Sequence, residues 1–424
     1  MPWPNRHSIL WRLIAENRLI TLTNISTTIN TDASAAPRCL LIICPTDTWG
    51  GVEKNVLLRA SAMAKRGHRV IVVLVKNTFE EKFSGLPEIT VETINSRPSD
   101  LSPLLYWRYL QLIKRYQPDC VFVPIKKDWW AATVTSRWAK VPNVVLYLGI
   151  MRRIKQNIKY RLILNRFKAL VIVNSQDLKQ HLLNSNRYFN SQNLKLIYNG
   201  FYLPDLDLPG PDLRTALQLP QNAIVIGCAG RFSRQKGFDH LPDIVNNLPE
   251  HIHVVVAGGG KLQPQIEQLI ADSELSHRIH LIGPQQDMTA FYRTLDLFLL
   301  LSRNEGMANV LNEALSFGLP AISTQVPGST ELLGIDIDNP HYLLGNQNIM
   351  QGEFGLMTAI NDTQALTAAV QAVLTGQITF DPAKQRGKIR RDHDLNIMMN
   401  LTEQIFFGLA PDEQVKTTHH KATQ

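Results

Sequence analysis

From Arg38 onward, short apolar runs rich in Val, Ile and Leu alternate with longer stretches in which apolar residues recur every three or four positions. The first pattern marks strands buried on both faces and the second marks amphipathic helices. Their alternation predicts βαβ units around a parallel sheet. Residues 39–44 open the series as a strand. After the turn Asp47-Thr48-Trp49-Gly50-Gly51, residues Val52, Val56, Leu57, Ala60, Met63 and Ala64 keep helical spacing, and Gly67 stands where a C-terminal cap belongs. Strands are then expected at 70–75, 120–124, 144–148, 170–174 and 194–198, with helices at 104–116, 129–139, 155–167 and 178–183. The pattern breaks at Asn199-Gly200 and in the Pro/Asp/Gly-rich stretch 204–211, which sets a domain boundary. A second series follows, with strands at 224–228, 252–257, 279–282, 297–301 and 321–324 and helices at 238–247, 262–271, 288–294 and 308–317. A last helix is expected over 384–407.

The fold class is therefore α/β: two doubly wound domains, 38–205 and 206–383, facing across a cleft, with a helix and tail at 384–424. Such sheets bind ligands beyond the carboxyl ends of their strands, so two facing edges suit a two-substrate enzyme. A length of 424 residues with 44% hydrophobic composition supports two cores and excludes a small, stapled or disordered protein. No apolar run approaches the roughly 20 residues that cross a bilayer. Cys39, Cys44, Cys120 and Cys228 sit in apolar runs without metal-ligand spacing and read as reduced core residues. Residues 1–37 lie outside the domain pattern. Trp3, Ile9, Leu10, Trp11, Leu13 and Ile14 interleave with Arg6, Arg12 and Arg18, which fits an interfacial helix, a frayed tail or a misassigned start. The segment lacks the apolar core and cleavage site of a secretory signal, so no export is expected.

Charge divides the chain. Residues 1–205 carry 29 Lys and Arg against 13 Asp and Glu, a net +16, whereas residues 206–424 carry 15 against 23, a net −8. The densest stretch holds Arg152, Arg153, Lys155, Lys159, Arg161, Arg166 and Lys168. A basic half points to phosphate or an anionic membrane surface, the alternative being a solvated helix face. No RNA-binding aromatic signature, zinc-finger spacing or basic zipper is present, so nucleic acid is not an expected partner.

Three segments carry candidate chemistry. Gly50-Gly51 ends the first strand and opens a helix, where backbone N–H groups can approach a phosphate; a tight structural turn explains it equally well. Gly230-Arg231-Phe232-Ser233-Arg234-Gln235-Lys236-Gly237 follows the first strand of the second domain. There Arg231 offers a planar fork and Lys236 a mobile point charge, a pair suited to a diphosphate leaving group; the alternative is a solvated loop. In the third segment, 302–314, Glu305 and Gly306 turn the chain after a strand and Glu313 lies eight residues on. Each carboxylate can accept two hydroxyls of a sugar or ribose, and the N–H groups of Gly306, Met307, Ala308 and Asn309 are placed to meet phosphate or sugar; the alternative is a carboxylate that only caps the helix.

Together these segments resemble the family 4 retaining glycosyltransferases of the GT-B fold (glycosyl transferases group 1), over about residues 38–375. The family's glycine turn appears as Gly50-Gly51-Val52-Glu53, its asparagine-glycine junction as Ile197-Tyr198-Asn199-Gly200, and its diphosphate loop as Gly230-Arg231 with Lys236-Gly237. Its glutamate pair is Glu305 and Glu313, followed by Ala314, Gly318 and Pro320. The resemblance implies two Rossmann-like domains, the first taking the acceptor and the second the nucleotide sugar. Arg231 and Lys236 would hold the donor diphosphate, Glu305 the sugar near its reacting carbon, and Glu313 the ribose. Glu305, Arg231 and Lys236 are thus the expected catalytic residues. Gly50, Gly51, Gly306, Met307, Ala308, Asn309 and Glu313 complete the donor site.

Two departures stand out. Leu146-Tyr147-Leu148-Gly149 lacks the histidine that many members carry there, and Pro327-Gly328-Ser329-Thr330-Glu331 has serine in place of the second glycine of a turn. Lys126, Lys127 and Asp128 follow a first-domain strand and are the expected acceptor-binding residues, the alternative being a plain surface turn. Asp336-Ile337-Asp338, Asp205-Leu206-Asp207 and Asp392-His393-Asp394 read as solvent-facing acids. With Arg231 and Lys236 supplying positive charge, no metal or cofactor is expected. The resulting expectation is sugar transfer from a nucleotide diphosphate sugar, uridine favoured, to an anionic or lipid-linked glycan in cell-envelope polysaccharide or lipopolysaccharide synthesis. The enzyme would work in the cytoplasm at the inner face of the membrane. The alternatives are a GT-B sugar phosphorylase or disaccharide synthase and, from another class, a non-catalytic nucleotide- or glycan-binding module.

Overall fold

The apolar run that heads the first series forms β1 (Cys39–Ile43), whose last four residues are buried, and later strands add to it on both sides. The computed structural model describes residues 36–409 except 48, 84, 97, 98, 100, 101, 207–211, 286 and 344–347. Its first sheet is parallel and runs β3 (Ile89–Ile94), β2 (Arg69–Val75), β1, β4 (Cys120–Val123), β5 (Asn143–Leu148), β6 (Leu170–Val173), β7 (Leu194–Leu196). Leu41 and Ile43 face a layer containing Tyr109 and Trp129, while Leu40 and Ile42 face one containing Val56 and Met63. Burial on both faces is why these strands read as continuous apolar runs.

The second sheet runs β10 (Ile279–Gly283), β9 (Ile252–Ala257), β8 (Ile224–Ala229), β11 (Leu297–Leu300), β12 (Ala321–Thr324), β15 (Leu356–Thr358), β14 (Ile349–Gln351), β13 (His341–Tyr342). β14 and β13 are antiparallel additions to an otherwise parallel sheet. Strand order reverses between β1 and β4 in one sheet and between β8 and β11 in the other. Crevices open at such reversals, beyond the carboxyl ends of the strands. The turn Gly50-Gly51 follows β1, Lys126 follows β4, the loop 230–237 follows β8, and Glu305 follows β11. Topology alone therefore gathers the candidate segments at two facing edges.

Two expected elements change. The basic helix expected from residue 155 starts at Ile158, where the Asn157 side chain accepts the Tyr160 N–H at 3.2 Å, and it widens to a π-turn over Leu162–Arg166. The single helix expected over 384–407 is two, Pro382–His393 and Leu395–Phe407. Asp394 breaks it because its carboxylate accepts the N–H groups of Asn396 and Ile397, capping the second helix. That helix returns to the first sheet and buries Leu395, Met398, Met399 and Phe406 against the layer of Phe122 and Tyr147. Strand β3, the hairpin β13–β14 and the helix Thr363–Leu374 were not expected.

The chain crosses between sheets twice, and the crossings touch. Phe201 bridges Asp394, and His393 Nδ1 lies 2.9 Å from the carbonyl of Asn199. Among the described residues no helix is long and apolar enough to cross a membrane. The extension read at 1–37 lies outside the described residues, save Ala36 and Pro37.

Candidate active site

Glu305 and Lys236 meet at the carboxyl edge of the second sheet. The lysine Nζ donates to Glu305 Oε1 at 2.5 Å, and Ser302 Oγ donates to the same oxygen at 2.8 Å. Both partners of the ion pair are mostly buried, with side-chain exposures of 16% and 11%. A charge pair removed from water is held by geometry, so Lys236 and Glu305 are fixed relative to one another. The loop that delivers Lys236 ends at Gly237, whose φ is +69° and whose added Cβ would stand 2.1 Å from the Leu301 carbonyl oxygen. Only glycine closes this turn against β11. Arg231 is exposed at the other end of the loop, and its charge reaches Glu53 of the first domain.

The helix Asn309–Ser316 begins with no side-chain cap, and Gly306, Met307 and Ala308 before it are buried. The uncapped start offers N–H donors and the positive end of the helix dipole. The Asn309 side chain is committed elsewhere: its Oδ1 accepts from Asn199 Nδ2 at 2.9 Å. Glu313 also has a partner, since Tyr292 donates its hydroxyl to Oε2 at 2.7 Å. Burial pushes the Glu313 carboxyl up, and the Tyr292 hydroxyl and the Lys54 charge pull it back. Lys54, exposed on the helix Gly51–Lys65, was not singled out in the sequence.

On the facing wall, Gly51 opens that helix and a Cβ added there would meet nothing within 4 Å. Gly50 donates its N–H to Glu53 Oε2 at 2.9 Å, so that donor is already engaged. Lys126 is half-buried and Lys127 exposed. Asp128 is a correction to the expected acceptor set. It is 0% exposed and its Oδ1 accepts the Tyr109 hydroxyl at 2.7 Å, so the carboxylate serves the core and not a ligand.

The two walls touch directly. A Cβ at Gly306 would stand 2.0 Å from the Gly149 carbonyl oxygen, so backbones of the two domains meet beside Glu305. A buried amide ladder spans the junction: Asn55 Nδ2 and the Tyr147 hydroxyl both donate to Asn199 Oδ1, at 2.9 and 3.2 Å, and Asn199 passes on to Asn309. Tyr147 thus occupies the strand end where a histidine was absent. Arg59, 1% exposed, lies 5.5 Å from the Tyr147 ring. A reciprocal cap closes the far side. Asp177 Oδ2 accepts the Gly328 N–H and the Thr330 hydroxyl, both at 2.9 Å, and Glu331 Oε1 accepts the N–H groups of Gln176 and Asp177 at 2.6 and 3.2 Å. Each carboxylate sits at the positive end of the other domain's helix. The turn at Pro327–Glu331 therefore holds its neighbour, a role that the glycine pattern alone does not reveal. Asp177 two residues past a Ser175 cap was the available signal. Among the described residues no group of three or more His, Cys, Asp and Glu could hold a metal ion.

Comparison with known proteins agrees with this layout. Residues 49–203 match the family model described as Glycosyltransferase Family 4, and residues 223–376 match that of Glycosyl transferases group 1. Similar curated proteins include the lipopolysaccharide core biosynthesis glycosyltransferase LpsE of Rhizobium meliloti, 28% identical over 174 residues, 41% of this chain and 46% of that protein. The O-antigen biosynthesis glycosyltransferase WclY of Escherichia coli is 29% identical over 171 residues, 38% of this chain and 48% of that protein. The chain thus spans about half the length of the curated relatives it matches. Among solved structures, a glycosyltransferase from Rickettsia africae superposes with a TM-score of 0.73 at 19% identity, over 88% of this chain and 98% of that one. Anabaena Alr3699/HepE in complex with UDP and glucose gives 0.70 at 22% identity, over 88% and 100%. These likenesses establish the fold as GT-B, with two parallel-dominant Rossmann-like sheets.

Proposed function

Because the chain belongs to the group 1 glycosyl transferases of glycosyltransferase family 4, we propose that it transfers a sugar from a nucleotide diphosphate sugar to a glycan acceptor in lipopolysaccharide or O-antigen synthesis. The observation that carries this reading is the buried Lys236–Glu305 pair at the carboxyl edge of the second sheet, on the loop that begins at Gly230-Arg231 and just before an uncapped helix start. In the proposed reaction the bond from the anomeric carbon to the diphosphate oxygen breaks and a bond to the acceptor hydroxyl oxygen forms. The acceptor proton leaves to the departing phosphate. Negative charge grows on the diphosphate, and Arg231, Lys236 and the N–H groups from Gly306 to Asn309 are placed to stabilise it. Glu305, held by Lys236 and Ser302 on one oxygen, keeps the other for the sugar. With Glu313 holding Tyr292 on Oε2, its Oε1 is the atom left for a ribose hydroxyl. Positive charge comes from side chains and the helix start, so the reading calls for no metal ion.

A uridine nucleotide is the proposed donor and retention of anomeric configuration the proposed outcome; the Anabaena Alr3699/HepE complexes with UDP support the donor. The +16 balance of residues 1–205 supports an anionic or lipid-linked acceptor and contact with an anionic membrane surface, at the cytoplasmic face. Calorimetric titration with UDP, GDP, ADP and CMP tests the donor side. One nucleotide is expected to bind selectively, with affinity about tenfold weaker in Lys236→Ala. No binding of any nucleotide would overturn the reading.

A further inference from the structure

Residues 129–176 hold nine Lys and Arg and no Asp or Glu, and the fold brings part of that stretch to the active-site edge. Strands β4 and β5 are parallel neighbours. The turn after β4, with Lys126, and the loop after β5, with Arg152 and Lys155, therefore leave the sheet at the same carboxyl edge. Gly149 in that loop abuts Gly306, one residue from Glu305, so these cations border the proposed donor wall.

The loop is pinned in place. Ile154 is 2% exposed, its carbonyl accepts from Asn186 Nδ2 at 3.0 Å, and Gln156 Nε2 donates to the Ser185 carbonyl at 3.0 Å. The helical turn Ile158–Arg161 carries Lys159 and buries Tyr160 edge-on against Trp129. The Lys126 ammonium lies 5.8 Å from the Tyr160 ring centroid. Burial holds the Lys126 pKa below the ordinary lysine value, and the charges of Arg152, Lys159 and Lys155 lower it further. A half-buried ammonium held among like charges is a local conflict of the kind that concentrates at functional sites.

We propose that Lys126, Arg152, Lys155 and Lys159 form the binding site for a phosphate group carried by the acceptor. The inference rests on the transferase reading above, and it identifies what fixes the acceptor while its hydroxyl meets the anomeric carbon. An arginine fork and ammonium groups supply charged donors that a phosphate's oxygens accept. A lipid-linked diphosphate and a phosphorylated glycan share this chemistry.

Calorimetry on the full chain, with farnesyl diphosphate as the lipid probe and mannose 6-phosphate as the glycan probe, tests it. Wild type is compared with Arg152→Ala/Lys155→Ala and with Arg166→Ala/Lys168→Ala, a pair from the same basic half outside the cluster. All three are also made with Arg231→Ala and Lys236→Ala, so that a diphosphate probe cannot report on the donor wall. At least one probe is expected to bind, about tenfold more weakly in the cluster pair and unchanged in the control pair; the probe that binds identifies the source. Lys155→Gln, at an exposed position, replaces the pair if the pair does not fold. Probe affinity that is absent, or equally affected in both pairs, overturns the site. So does a cluster pair that keeps probe affinity but no longer binds phosphatidylglycerol vesicles, which would make the cluster a membrane surface. Parallel UDP titration separates the two ideas. UDP binding without a probe response leaves the transferase reading and removes the site, while a probe response without any nucleotide binding removes the transferase reading and with it the acceptor role of the site.

Discussion

Single side chains carry the sharpest expectations. Lys236→Ala leaves Glu305 with the Ser302 hydroxyl alone, so a mostly buried carboxylate loses its counter-charge. Breaking such a pair costs about 3 kcal/mol. A lower melting temperature is expected along with weaker nucleotide binding, and Lys236→Arg is expected to recover stability more fully than binding. His393 makes the second case. It is buried at the double crossing, and its Nδ1–H donates to the Asn199 carbonyl. Burial lowers its pKa from 6.5 to about 4. Between those values the unfolded chain binds the proton and the folded chain does not, so stability rises with pH across that window. The contribution is complete above about pH 6.5 and is lost as pH falls toward 4, about 3 kcal/mol in all. His280 is lowered to about 4 as well, by burial first and then by neighbouring histidines, and it acts in the same direction. Denaturant titrations at stepped pH are expected to show a shallower acid slope in His393→Gln; an unchanged slope would mean that the ring is protonated in the fold.

At the scale of elements, the helices Gln176–Ser185 and Ser329–Leu333 cap one another across the cleft through Asp177 and Glu331. Loss of one cap costs about 1 kcal/mol, and the two caps share partners, so a double-mutant cycle of Asp177→Ala and Glu331→Ala is expected to be non-additive. Hydrogen exchange at Gly328 and Gln176 is expected to quicken together; additive effects would mean that the two caps act independently. This contact was not legible in the sequence, because a capping pair 154 residues apart leaves only two ordinary acids. Strand runs were legible, since burial on both faces leaves little room for polar residues, as in Val70 to Leu74. β3 escaped notice because Thr90, Glu92 and Thr93 interrupt the run Ile89–Ile94 of an edge strand. The basic segment looked helical from residue 155 onward, yet burial of Ile154 and the Asn157 cap hold residues before Ile158 as a loop. Glu305 and Lys236 were legible as candidates through their glycine-framed segments. Their direct pairing was not, because it depends on how two loops from different strands approach.

For the whole molecule, the return helix Leu395–Phe407 ties the end of the second domain to the first. Truncation after His393 would expose the layer that Met398, Met399 and Phe406 cover around Phe122. Loss of soluble expression is expected, and a soluble, cooperatively melting truncation would contradict that packing. The charge division, +16 against −8 at residue 205, makes binding to phosphatidylglycerol vesicles expected at low salt and lost at high salt. Co-sedimentation that is absent at low salt, or insensitive to salt, would remove the membrane from the proposal. In the proposed function the facing sheet edges move a sugar off a nucleotide at Glu305 and Lys236. The most direct measurement is nucleoside diphosphate release from a panel of UDP, GDP and ADP sugars by wild type, Glu305→Gln and Lys236→Ala. Slow, selective release by wild type that is abolished in both variants is the expected result. No release from any sugar, or release unchanged in the variants, would contradict it.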